Sequence, residues 1–277
     1  MIANARMYSV TPEVAVLWRS LLAAVLREVD ASIDIVDHAP PAPISELWQR
    51  PDKAAVFMCG LPWSLAAPRP TLVVAPRPSP AAYGGRACYW TDLVVRADSP
   101  FRSLEQTFGH RLALTTPESQ SGYAAALYTL MAFGSEKPLY REIIEPRFTP
   151  MGALRAVIEN KAEVAPIDSY AWALLAKYAP DLTAQVRVIE STEPTAIPAV
   201  VASGPAPAGV AAAFLAAGTE ASTRALMDQL LLHSFARPEA EAYDALRERF
   251  LTMQAFWRRH PLAEKAHPIF AAELGRH

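Results

Sequence analysis

The sequence predicts an α/β protein of mixed sheets flanked by helices, organised as two α/β units in series. Three observations point there. Short apolar runs alternate with helix-period stretches from the start: Ile2–Tyr8, a leucine–valine face over 17–29, Ser32–Val36, Ile44–Trp48 and Ala54–Met58. That order is the one expected of a parallel sheet. The pattern stops at Ser99-Pro100 and begins afresh at Arg111. The chain has 277 residues, 52% hydrophobic and 19% charged, enough for one large or two medium cores.

Each element follows from local chemistry. Ile2–Tyr8 reads as the first strand. Thr11 or Ser9 can cap the next helix, with Pro12 in its first turn and Glu13 near the positive end of its dipole. Leu17, Leu21, Leu22, Val25, Leu26 and Val29 share one helical face. Ser32–Val36 is a strand, Ile44–Trp48 a short helix or turn, and Ala54–Met58 a strand ending in Cys59-Gly60-Leu61-Pro62-Trp63. Ligands of open parallel sheets sit beyond the carboxyl ends of the strands, which draws attention to Met7–Ser9 and Cys59–Ser64. Thr71–Ala75 is another strand, and a loop with Gly84 and Gly85 leads to strand-like Tyr89–Ala97. Ser103–Phe108 reads as a short helix.

In the second unit, strand 111–114, helix 121–133, a strand near Ile144–Phe148, helix Gly152–Asn160, strand Val164–Ile167 and helix Ala171–Lys177 alternate. Val186–Glu190 is a strand, Pro194–Pro198 a crossover, and Ile197–Ala202 the strand leaving it. From Ala206 onward the reading is helical. One helix starts at Ala221 or Ser222 with Leu226, Met227, Leu230 and Leu231 inward. A last long helix carries Tyr243, Leu246, Phe250, Met253 and Phe256 or Trp257 at helical spacing, a packing stripe. If these helices return to the first unit, the second is inserted into it.

Composition excludes several functions. A net charge of −2 gives no footprint for nucleic acid or an anionic membrane surface, and no apolar run reaches the length of a membrane span. Neither nucleic-acid binding nor direct membrane insertion is expected. Cys59 and Cys88 are too few for a disulfide framework and read as free thiols, a single bridge being the alternative. The six His form no ligand cluster, His260 and His267 lying in a charged tail. Phosphate-loop, dinucleotide, nucleophile-elbow and zinc-protease motifs are absent from the sequence. No metal and no cofactor is expected. The first residues lack a basic segment followed by an apolar one, which as given predicts a cytoplasmic location; an upstream start or a removed signal would make it periplasmic.

The stretch Leu112–Leu127 is the strongest candidate site. A buried strand gives way to a polar turn with Pro117, then Ser119, Gln120, Ser121 and Gly122, then an alanine-rich helix. The first turn of a helix leaves N–H groups unpaired and carries partial positive charge, so strand, turn and helix start make an anion site. Ser119 and Ser121 add hydroxyl donors, and Gly122 permits close approach to the backbone. The alternative is that Ser119 or Ser121 caps the helix and nothing more. Asp168 likewise either meets a ligand or caps the helix beginning at Ser169. Trp63, in a Gly-Pro loop at a strand end, reads as cleft or hinge packing. Cys59, at the same end with no basic neighbour in sequence, reads as an inert thiol.

Three stretches in register resemble the phosphate/phosphite/phosphonate branch of the ABC-transporter substrate-binding proteins. Tyr89-Trp90-Thr91-Asp92-Leu93-Val94-Val95-Arg96-Ala97-Asp98-Ser99-Pro100, continued by Ser103-Leu104 and Phe108-Gly109-His110-Arg111-Leu112-Ala113, resembles Y-R-S-x-x-V-V-R-x-D-S-P and its continuation. Ser119-Gln120-Ser121-Gly122-Tyr123 resembles the anion loop S-T-S-G-Y. Ala156 to Tyr170 resembles A-V-x-x-G-x-A-D-V-A-A-V-D-S-Y. Order and spacing agree over roughly residues 85 to 200.

The resemblance implies a type II periplasmic-binding-protein fold. Residues 1–94 plus 198–277 would form lobe one and 95–197 an inserted lobe two, with a ligand cleft between the lobes that closes by a hinge. It implies that Ser119, Gln120 and Ser121 hold phosphoryl or phosphonyl oxygens, that Asp168 faces the other end of the ligand, and that Tyr89, Tyr8 and Trp63 are the matched aromatic positions. Gln120 stands where the family has Thr, and about Pro150 stands where it often has His. A carboxylate, a sulfonate or a larger phosphorylated molecule is therefore as reasonable a ligand as a phosphonate. The implied partner is an ABC permease, and the implied role is binding without covalent chemistry. Two alternatives use the same fold: a cytosolic ligand sensor, and a small-molecule enzyme with Cys59 as nucleophile.

Overall fold

The computed structural model describes residues 1–144 and 149–264. In chain order the elements are β1 (Ile2–Asn4), α1 (Pro12–Leu26), β2 (Asp34–Ile35), α2 (Ile44–Gln49), β3 (Lys53–Met58), α3 (Gly60–Leu65), β4 (Thr71–Pro78), β5 (Cys88–Tyr89), β6 (Thr91–Arg96) and β7 (Arg111–Ala113). There follow α4 (Ala125–Leu130), β8 (Glu142–Ile144), α5 (Pro150–Ile158), β9 (Val164–Asp168), α6 (Ser169–Tyr178), α7 (Pro180–Thr183) and β10 (Val186–Ser191). The chain ends with β11 (Thr195–Ala196), β12 (Ala199–Ala202), α8 (Val210–Ala216), α9 (Ala221–Gln229), β13 (Leu232–Ala236) and α10 (Ala240–Trp257).

The chain divides into two compact units, Met1–Tyr89 with Thr195–Tyr243, and Trp90–Pro194 with Asp244–His277. Unit 1 holds a six-stranded mixed sheet ordered β13-β4-β12-β3-β1-β2. β1 runs parallel to β2 and β3, whereas β12 is antiparallel to both β3 and β4. β3 and β12 are buried along their whole length, as central strands covered on both faces must be. Lys53 is the charged member of that run, and its ammonium donates to the carbonyls of Trp48 (2.7 Å) and Arg50. α1 begins at Thr11, whose hydroxyl accepts from the Val14 N–H, and it buries Val14, Trp18, Leu21, Leu22, Val25 and Leu26.

Unit 2 holds a five-stranded sheet ordered β10-β6-β9-β7-β8. β7 is parallel to β8 and β9, and β6 is antiparallel to β9 and β10. Arg111 anchors the start of β7 by donating to the Glu163 carboxylate at 2.6 Å from Nη2 and 2.7 Å from its backbone N–H.

Four elements depart from the sequence-based expectation. The first strand stops at Asn4, because the Asn4 carboxamide accepts from the Arg6 N–H (2.7 Å) and donates to the Val36 carbonyl (2.7 Å). Such a side-chain-to-backbone bond competes with the ladder and turns the chain, so residues Arg6–Tyr8 form a 3₁₀ turn. The strand expected over Tyr89–Ala97 is two strands broken at Trp90, whose N–H is taken by the Ser169 hydroxyl at 3.1 Å. The region after Ala206 is not wholly helical: Leu231 adopts φ +55°, and β13 then pairs with β4. The end of α10 belongs to unit 2, where Trp257 Nε1–H donates to the Leu127 carbonyl at 3.0 Å; the expectation had placed this segment in lobe one. Residues 145–148 of the strand expected near Ile144–Phe148, and His267, lie outside the described residues.

Candidate functional site

The candidate anion loop lies in unit 2, directly after β7. The helix it opens does not start as an α-helix. Gln120–Ala124 form a π-helical turn that continues into α4, with the Ala124 N–H reaching back to the Ser119 carbonyl at 3.1 Å. The wider turn has local causes. Ser119 Oγ accepts from the Gly122 N–H at 2.9 Å, and the Thr115 N–H donates to the Gly122 carbonyl at 3.0 Å. Gly122 is required here by its neighbour. A Cβ at that position would lie 2.0 Å from Thr115 Oγ1 and 2.7 Å from its Cγ2. The sequence reading had assigned this glycine to ligand approach; what the structure places against it is Thr115.

Ser121 is fixed from two sides. Its carbonyl accepts from Thr91 Oγ1 at 2.9 Å, and its hydroxyl bonds with the Asp168 carboxyl. Thr91 and Asp168 are direct register partners on β6 and β9, so the sheet itself delivers both groups to the turn. Gln120, Ser121, Thr91 and Asp168 are all buried. Asp168 also caps α6, its Oδ1 accepting from the N–H groups of Tyr170 (2.8 Å) and Ala171 (2.9 Å). The sequence reading set capping against ligand contact for Asp168; the cap is present, and the same side chain also reaches the loop through Ser121.

The electrostatics around the turn are acidic. Burial pushes the Asp168 carboxyl from 3.8 up to about 7, and Asp92 pushes it the same way, against the helix N–H groups and Ser121. Asp92 is itself held above the usual carboxylate range by burial, which outweighs its bonds from Ser191 Oγ (2.6 Å) and Trp90 Nε1 (2.9 Å). Burial thus favours the protonated form of both carboxyls, and the Asp92 charge adds to the effect at Asp168. The sequence reading missed Asp92, Thr91 and Ser191 as members of this cluster. Thr91 and Asp92 stood in a quoted stretch, but Ser191 lies 99 residues from Asp92 and only the β6–β10 pairing joins them.

The remaining candidates are in unit 1. Tyr8 is 1% exposed, stacked on Trp18 at 6.4 Å and edge-on to Phe57 at 5.6 Å. Trp63 is buried, donates from Nε1 to the Pro70 carbonyl at 2.8 Å, meets Tyr243 edge-on at 5.5 Å, and lies under the Arg69 guanidinium. Tyr89 is buried opposite Thr195 in the β5–β11 ribbon. Cys59 is a buried free thiol preceding α3, and Cys88 a half-buried one. Among the described residues no group of His, Cys, Asp and Glu could hold a metal ion, and no helix is long and apolar enough to cross a membrane.

Residues 13–243 match the model of a family described as ABC transporter, phosphonate, periplasmic substrate-binding protein. No curated protein matches significantly. Solved structures share the fold. A binding-protein component of an ABC phosphonate transporter from Pseudomonas aeruginosa aligns with a TM-score of 0.76 and 15% identity, over 99% of this chain and 93% of that one. PhnD1 of Prochlorococcus marinus in complex with methylphosphonate gives 0.74 and 14% over 91% and 97%. A Xanthomonas citri protein bound to ATP gives 0.61 and 17% over 94% and 98%. These structures place the chain in the two-lobe type II periplasmic-binding-protein fold.

Proposed function

The chain belongs to the family of periplasmic substrate-binding proteins of ABC phosphonate transporters, and from that premise we propose that it captures a small phosphonate- or phosphate-like anion on the turn Ser119–Gly122. The observation that carries the reading is the loop itself. Two serines and a glutamine open a helix, on a turn held rigid by Thr91, Thr115 and Asp168. Preorganised hydroxyl and N–H donors at a helix start give charge-assisted hydrogen bonds to an oxyanion with no covalent step. Near pH 7 a protonated Asp168 can donate as well, and an ionised one can accept from a ligand ammonium; this supports its place in the ligand set.

Tyr8, Trp63 and Tyr89 are buried within the packing of unit 1, which supports a shaping role for them more than direct contact. Methylphosphonate and ATP, the ligands of two of the similar structures, share phosphoryl-type oxygens, which supports the ligand class and leaves its size to experiment. Hinge closure, delivery to an ABC permease and a periplasmic location belong to the same proposal and rest on the family.

The test is a thermal melt against phosphate, phosphite, alkyl- and aminoalkylphosphonates, sulfonates, dicarboxylates and phosphorylated metabolites. A ligand at about a hundred times its Kd stabilises by roughly 2.7 kcal/mol, an upward shift on the order of 5–10 °C for a chain of this size. A shift confined to phosphonyl or phosphoryl compounds supports the reading. A shift with dicarboxylates alone overturns it.

A further inference from the structure

We propose that Asp168 is a positioning residue for the anion. When its carboxyl carries a proton, the Ser121 hydroxyl is released to donate to the bound oxyanion; when it is ionised, it takes that hydroxyl for itself. The inference rests on the reading above and deepens it: the anion is bound together with a proton. A serine hydroxyl has one proton to give. The Ser121 backbone is held by Thr91, whose Oγ1 donates to its carbonyl at 2.9 Å, and its hydroxyl bonds with the Asp168 carboxyl. An ionised carboxylate only accepts, so that bond then consumes the Ser121 proton. A protonated carboxyl donates to Ser121 Oγ, and the serine proton turns to a phosphonyl or phosphoryl oxygen. The α6 cap does not interfere. The N–H groups of Tyr170 and Ala171 both go to Asp168 Oδ1, which leaves Oδ2 to carry the proton. Ser119 is not switched in this way, because its Oγ accepts from the Gly122 N–H at 2.9 Å, within the turn itself.

The surroundings of Asp168 favour the exchange. Its side chain is buried, and burial with Asp92 brings its titration to about 7. An anion arriving at Ser121 adds another like charge and strengthens the hold on the proton. The other charged and titratable groups lie on the elements packed around β9. Arg96, at the far end of β6, is paired with Asp98 at 2.5 Å, and Arg111, at the start of β7, with Glu163 at 2.6 Å. The loop and turn carry Glu118 and the Tyr123 phenol, which burial keeps protonated. α6 carries Tyr170 beside the cap and Lys177 in its last turn, and α5 carries Arg155 in its last turn.

The experiment is calorimetric titration of methylphosphonate into the wild type, Ser121→Ala, Asp168→Asn and the double variant, at about pH 6 and about pH 8.5, on either side of the Asp168 titration. Each effect is a ratio at one pH, so the ionisation of the ligand cancels. Ser121→Ala should weaken binding about tenfold at the lower pH, the effect of one charge-assisted bond. At the higher pH it should weaken binding less than about threefold, because the ionised Asp168 has already withdrawn the hydroxyl. In the Asp168→Asn background the cost should be about tenfold at both pH values, since the carboxamide donates to Ser121 Oγ as the protonated acid does. Ser121→Ala leaves the α6 cap intact, so the first comparison stands even if Asp168→Asn does not fold. An equal or larger cost of Ser121→Ala at the higher pH overturns this inference alone. So does a cost that still falls with pH in Asp168→Asn, which would assign the switch to another group. If methylphosphonate binds the wild type at neither pH, the reading above falls and takes this one with it.

Discussion

Asp168 concentrates three roles in one carboxyl: cap of α6, partner of Ser121, and proton holder raised to about 7 from an ordinary 3.8. Its effect on stability has a definite sign. A carboxyl whose folded pKa exceeds its unfolded one binds its proton more tightly when folded, so its contribution is complete below the unfolded value and is lost as pH rises towards the folded value. Asp168 should therefore lower the wild-type melting temperature progressively between pH 4 and pH 7, the window bounded by those two values, against carboxyls such as Glu163 whose lowered pKa acts in the opposite sense. Asp168→Asn, which can still accept from the helix N–H groups, should flatten that dependence. An unchanged profile would show that the proton is held elsewhere.

Gly122 gives a second prediction at this scale. Gly122→Ala should destabilise by about 1–3 kcal/mol through overpacking, since its Cβ would meet the Thr115 side chain at 2.0 Å. Thr115→Gly should recover much of that loss in the double variant, and a double-mutant cycle of melting free energies reads the coupling. The glycine was visible in the sequence. The side chain that demands it was not, because a contact between a strand end and a helix start has no one-dimensional signature.

Strands and helices with strong local patterns were legible. The apolar run Ala54–Met58 of β3, the Thr11-Pro12 start of α1 and the Asp168 start of α6 all stand where local chemistry put them. Elements decided by a partner were not. β1 ends early because Asn4 finds Val36, 32 residues away, and β13 exists because β4 offers it an edge after the positive-φ turn at Leu231. The assignment of α10 depended on Trp257, whose aromatic stripe predicted burial but not which core would receive it. Trp257→Phe keeps most of the packing and removes the N–H bond to Leu127. It should cost about 1 kcal/mol, a fall of roughly 2–4 °C in melting temperature. No change would mean that packing alone holds the helix end.

At the scale of the whole chain, the two units have separate sheets. The polar cluster around the candidate loop belongs to unit 2, drawn from β6, β9, β10 and the turn after β7. The family could be read from three stretches in register because those stretches encode that cluster: β6, the loop, and the end of β9. Cys59 is a buried thiol of unit 1 that serine replaces at nearly the same size, so Cys59→Ser should leave ligand affinity unchanged within about twofold; a large loss would revive a chemical role for the thiol.

Whether the Ser119–Gly122 turn holds the anion is read by calorimetric titration of methylphosphonate into the wild type and the Ser119→Ala/Ser121→Ala variant, with far-ultraviolet circular dichroism confirming that both are folded. Loss of two charge-assisted bonds should weaken binding by about a hundredfold or more. Equal affinity in a folded double variant would contradict the account and place the anion elsewhere in the molecule.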